Sequence, residues 1–182
     1  MARPLGEPAA GSEAGRRSSA DVIPSSTEQP ATNLLWAFLG GDGRVEVLVR
    51  YAPPVARLLI AQIFIISGIM KIMDPAGTAA QMEGRGMFWV PFFLWSAAAV
   101  ELGCGLSLLL GYKTRLGALV LFLFLIPVTL TFHNFWTYAD PKERHVNMLF
   151  FMHNLALMGG LLLVITFGAG PFSLDHRRRR AS

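Results

Sequence analysis

"LGALVLFLFLIPVTLTF", residues 116–132, runs without a single charged side chain and comes close to the roughly 20 residues a helix needs to cross a bilayer core. Three more blocks share that character: "VARLLIAQIFIISGIM" from Val55, "FFLWSAAAVELGCGLSLLLG" from Phe92 and "MLFFMHNLALMGGLLLVITFG" from Met148. The first has 13 uncharged residues between Arg57 and Lys71, and both flanking cations can snorkel outward to lengthen the usable span. Hydrophobic residues make up 53% of the 182 and charged residues 15%, where a soluble globule carries about 25% charge. The reading is an all-α polytopic membrane protein, a four-transmembrane-helix bundle.

The remaining segments divide the chain. Residues 1–33 are rich in Pro, Gly, Ser and Glu and read as a disordered tail; they contain no apolar run, so no secretory signal peptide is expected there. Residues 34–54 suggest a segment at the membrane surface that ends at Pro53-Pro54, after which the first helix should begin. The bundle is assigned to 55–174 and a basic tail to 175–182. Pro75 should stop helix one and Pro91 open helix two. "GYKTR" connects helices two and three, and "TYADPKERHVN" connects three and four. Arg44, Arg50, Arg57, Lys113, Arg115 and Arg177 to Arg180 lie at one end, against Lys71, Arg85, Lys142 and Arg144 at the other. The positive-inside rule then places both termini in the cytoplasm. "HRRRR" at 176–180 suits an anionic lipid surface that fixes topology rather than nucleic acid. Cys104 is the sole cysteine, excludes an internal disulfide and reads as packing.

Ionisable residues within membrane helices are costly and point to function or to specific pairing. Counted from Pro91, Glu101 lies about 15 Å into its helix, near mid-membrane. His153 falls about 8 Å below the outer surface by the same rise. His133 and Lys71 sit near the outer ends of helices three and one, so all four belong to the outward half, where one polar chamber would collect them. Glu101, His133 and His153 are the candidate catalytic residues, because an imidazole and a carboxyl at different depths can pass a proton to a bound molecule. Lys71, Asn134 and Asn154 are candidate binding residues. Ala97, Ala98, Gly103 and Gly105 around Glu101 would let a neighbouring helix approach. A structural carboxyl paired with a donor is the plain alternative. The axial offset between Lys71 and Glu101, about 10 Å, predicts water, a histidine or a ligand between them rather than direct contact. His133 and His153 as haem ligands, or zinc on a Glu-His-His set, lack the local spacing that would make either specific, and no metal site is assigned.

Arg57, "FIISGIMKIMDP", "VELGCGLSLLLGYKTRLGA", "TFHNFW", "FFMHNLALMGGLLLV" and "GPFSLD" together resemble the DoxX family of four-helix bacterial membrane proteins. The resemblance spans Arg57 to Asp175. It implies that Arg57, Gly68, Lys71, Glu101, Gly105, Gly111, Arg115, Ala118, His133, Asn154, Gly159, Gly160 and Asp175 are characteristic positions; His153 rests on depth alone. It also implies a place in the bacterial inner membrane and a link to quinol-oxidase or sulfur-redox complexes.

The resulting expectation is a subunit of a membrane redox system that binds a quinone-like or other small amphipathic molecule in the outward half of the bundle, with quinone ahead of haem as cofactor. With one cysteine and no dinucleotide fingerprint, such a subunit needs a protein partner to supply electrons. Two alternatives stand beside it: a non-enzymatic scaffold or assembly protein, and a small proton-coupled transporter acting as a homo-oligomer.

Overall fold

In the computed structural model, residues 42–181 are described. The chain divides at Asp42 into two units, 1–42 and 43–182; the tail assigned to 1–33 and the first part of the surface segment lie outside the described residues. Six α-helices follow in order: α1 Asp42–Met73, α2 Pro75–Gly84, α3 Val90–Leu110, α4 Thr114–Phe132, α5 Pro141–Phe167 and α6 Leu174–Ala181, with a 3-10 turn at Phe135–Thr137.

Two boundaries differ from the sequence reading. Helix α1 begins well before Pro53-Pro54 and carries both prolines inside it, so the alternating residues 44–50 form its first turns. Prolines in a helix interior forfeit hydrogen bonds. Here Pro53 packs so tightly on the turn after α5 that a Cβ on Gly170 would stand 2.6 Å from its own Cβ. Helix α5 begins at Pro141, two turns before the expected apolar start; Asp140 caps it by accepting from Glu143 N at 3.2 Å. Pro75 ends α1 as expected, and it also opens α2, whose first turn is capped by Asp74 accepting from Gly77 N at 2.9 Å.

Among the described residues, four segments are long and apolar enough to cross a membrane: Val45–Met73, Val90–Leu110, Thr114–Thr137 and Pro141–Phe167. Ala61 and Phe64 of α1, Leu108 of α3, Ala118, Leu121 and Leu125 of α4 and Leu161 and Val164 of α5 form one shared core. Large apolar side chains such as Leu59, Ile66, Leu123 and Leu163 point outward and stay exposed. That arrangement would be unfavourable in water and is natural in lipid. The protein is a multi-pass membrane protein built as a bundle of four long helices.

Contacts between helices set the register. A Cβ on Gly68 of α1 would stand 2.7 Å from Leu102 Cγ of α3, and one on Gly105 would stand 2.9 Å from Ile65 Cγ1. Residues 68 and 65 therefore face 102 and 105 across an antiparallel crossing that small residues permit. Likewise Gly160 of α5 faces Ile60 of α1, and Gly117 of α4 faces Ser107 of α3. Gly103, expected on the same close face as Gly105, has open space where its Cβ would go.

A candidate polar site between the helices

The α1–α3 crossing decides where the charges meet. Because Gly68 lies level with Leu102, Lys71 is only two residues, about 3 Å, from Glu101 along the axis. Its stem also leans toward the helix N-terminus, as side chains on a helix do. Lys71 Nζ consequently lies 2.8 Å from Glu101 Oε2 and donates to Oε1 at 3.1 Å. This corrects the expectation of an intervening water, histidine or ligand. The earlier offset placed both residues from assumed helix ends, whereas the crossing brings them level.

Ser67, one turn before Lys71, completes the cluster. Lys71 donates to Ser67 Oγ at 2.8 Å, and Ser67 Oγ donates to Glu101 Oε1 at 3.1 Å. Glu101 is buried at 5% exposure. Its Oε1 accepts two hydrogen bonds, while Oε2 touches the ammonium in ionic contact but lacks hydrogen-bonding geometry. Ser67 escaped sequence reasoning, although its spacing of four from Lys71 was the available signal.

The pair borders a cavity of about 460 Å³ whose lining also includes His133, Asn154, Gln81 and Phe132. Five helices contribute: α1 with Ser67 and Lys71, α2 with Thr78 and Gln81, α3 with Glu101, α4 with Phe124 and Phe132, and α5 with Asn154. Helix α2 is tied down through Met82, which packs with Val90 and Leu94 of α3 and with Phe132 of α4. The cavity thus has a polar side built on α1, α2 and α3, and an aromatic and aliphatic side supplied mainly by α4.

His133 closes α4 as its last capped position, where its N–H donates to Thr129 O at 3.1 Å. The ring packs on Phe150 at 5.2 Å between centroids. Asn147 stands beside it, but Nδ1 is buried without a hydrogen bond of acceptable geometry. Asn154 is buried and donates through Nδ2 to Thr129 Oγ1 at 3.0 Å, joining α5 to α4.

The other two candidates stand apart. His153 is exposed and absent from the cavity lining. One helical residue turns the chain by about 100°, so Asn154 facing inward sends His153 outward. Asn134 precedes the 3-10 turn and accepts from Arg85 Nη1 at 3.3 Å, linking the two connections at this end. The structure therefore gathers Lys71, Glu101, His133 and Asn154 and leaves His153 and Asn134 outside. Among the described residues, no group of three His, Cys, Asp or Glu side chains converges as a metal site.

Comparison with known proteins bears on this same region. The DoxX family pattern matches residues 52–134, a stretch containing Lys71, Glu101 and His133. The chain is 39% identical over 123 residues to inner membrane protein YqjF of Escherichia coli, covering 67% of this chain and 88% of that one. It is 28% identical over 123 residues to inner membrane protein YphA of the same organism, with 68% and 87% covered. A shorter similarity, 37% over 70 residues, links it to the ER-derived vesicles protein ERV29 of Saccharomyces cerevisiae, covering 38% of this chain and 22% of ERV29. No solved structure matches it. On this family match and the similarity to YqjF, the chain belongs to the DoxX family.

Proposed function

We propose that the protein binds a small amphipathic molecule of quinone type in the cavity beside Glu101, as the membrane subunit of a redox system. One observation carries the reading: Glu101 Oε2 and His133 Nδ1 are both buried without hydrogen-bond partners, and both residues line the same cavity. Buried polar atoms are normally hydrogen-bonded, so an Oε2 held only by ionic contact with Lys71 and an unbonded His133 Nδ1 at one site suit a ligand that brings its own oxygens. A quinol hydroxyl can donate to Glu101 Oε2, and a quinone oxygen can accept from His133 or Lys71. Phe124, Phe132 and Val128 offer an apolar wall for the ring.

In such a site reduction adds two electrons and two protons to the quinone, and oxidation of the quinol reverses this. A partner protein carries the electrons. In this reading Glu101 and His133 exchange the protons. The proposed setting is the bacterial inner membrane, with both termini in the cytoplasm. The basic residues concentrated at the terminal end support that orientation, and YqjF and YphA are inner membrane proteins by name.

Native mass spectra of the protein released from mild detergent test the reading. A retained quinone-sized mass that falls away in folded Glu101→Gln and His133→Ala supports it. A spectrum containing only polypeptide and phospholipid, with added short-tailed quinone also failing to bind, overturns it.

A second reading has its own observation. Lys71, Ser67 and Glu101 bond to one another in a closed set, as a polar device that specifies helix packing would. Under that reading every Glu101 replacement disturbs assembly, and no ligand is retained.

A further inference from the structure

The opposite end of the bundle holds a separate cavity of about 660 Å³. It lies between the turn joining α3 to α4 and the chain that leaves α5. Lys113 from the turn, Arg115 from the first turn of α4 and Arg178 from α6 line it. Leu116 and Phe167 form part of its wall and are 57% and 77% exposed.

Charge in this cavity is unbalanced. Asp175 is its carboxylate, and that group accepts from Lys113 N at 2.8 Å, Thr114 N at 2.9 Å and Thr114 Oγ1 at 2.9 Å. It is therefore engaged with the first turn of α4, which otherwise has no side-chain cap. Arg115 donates to Thr166 O at 3.1 Å, which holds its guanidinium against the last turn of α5. Lys113 Nζ and the Arg178 guanidinium lie 5.8 and 4.8 Å from the centre of the Tyr112 ring, so a neutral aromatic gathers both cations.

Leu116 and Phe167 belong to two membrane-crossing segments, at the ends nearest this cavity. A lipid lying along those side chains carries its headgroup to the level of Lys113, Arg115 and Arg178. From this juxtaposition we infer that the cavity holds the phosphate of an anionic phospholipid from the surrounding leaflet. Three cations around one already engaged carboxylate favour a headgroup of net negative charge. A zwitterionic headgroup brings a cation of its own into the same positive field and gains less.

The test uses the full chain in mild detergent, with phosphatidylglycerol and phosphatidylcholine competing at equal concentration and bound lipid read by native mass spectrometry. The wild type should retain phosphatidylglycerol with about tenfold preference, the scale expected for two or more cations near a membrane surface. Lys113→Gln/Arg178→Gln should lose most of that preference, and Arg178→Gln alone, at an exposed position, should lose part of it. Lys142→Gln/Arg144→Gln removes equal charge at the other end and should retain it. Absence of preference in the wild type, or an equal loss in both double variants, overturns the assignment. Displacement of the lipid by millimolar inorganic phosphate would also overturn it, because the site would then be one for the free anion.

Discussion

Glu101 and Lys71 show how a single contact depends on register. Each is expensive in a bilayer alone, and together they are tolerable because they pair in ionic contact and Ser67 bonds to both. Glu101→Ala should destabilise the fold by about 3–5 kcal/mol, since it leaves a largely buried ammonium unpaired. Lys71→Met/Glu101→Leu should cost much less, because both charges leave together. Thermal unfolding in one detergent for the singles and the double gives the coupling, and additive effects would contradict the pairing. Asn154→Leu strands Thr129 Oγ1 in the core and should cost about 1–3 kcal/mol by the same measurement, with Thr129→Val/Asn154→Leu recovering much of it. The chemistry at this scale was largely legible: rarity in an apolar run picked out Lys71, Glu101, His133 and Asn154. Their mutual distances were not, because no spacing within one helix reveals how a second helix is offset. His153 failed for a related reason, since the turn of about 100° per residue carries it away from the side that Asn154 buries, and depth says nothing about facing.

At the scale of elements, the close helix crossings and the capped turns carry the specificity. Gly105→Ala forces a methyl to within 2.9 Å of Ile65 Cγ1, whereas Gly103→Ala meets open space. The first should lower stability by about 1–3 kcal/mol and the second by little, since overpacking is what separates them. Equal effects on the unfolding midpoint would contradict the crossing. Asp175→Ala removes the acceptor shared by Lys113 N, Thr114 N and Thr114 Oγ1, and should cost at least the roughly 0.5–2 kcal/mol of a lost cap. The segment after α5 holds more than this cap. Arg57 is 3% exposed and donates to Phe172 O at 3.0 Å, and Gly111, at φ +68°, leaves space that any side chain would take from Arg57 and Ser173. The basic residues after 175 were read as a tail, yet the structure continues them as α6. Proline and apolar runs located the long helices well, but they misled at α1, where tight packing on Gly170 offsets the prolines, and at α5, where a polar first two turns conceal a helix.

The described residues form a four-helix bundle with two differently built ends: an ion pair, a histidine and an aromatic wall toward α2, and cations with a capping carboxylate toward α6. Composition and block lengths already revealed the bundle. The proposed orientation, argued from charge asymmetry, can be checked in a Cys104→Ala background. An impermeant maleimide should label Lys142→Cys in intact cells, and Arg177→Cys only after lysis. The reverse pattern would invert the topology. A function for the polar end rests on a small molecule occupying the cavity. Photolabelling with an azido-quinone, followed by peptide mapping, addresses that directly in membranes. The account predicts labels on Met70, Met82 or Phe124, suppressed by unlabelled quinone and lost in Glu101→Gln. Labelling that spreads along the outward faces of the helices and resists competition would contradict it.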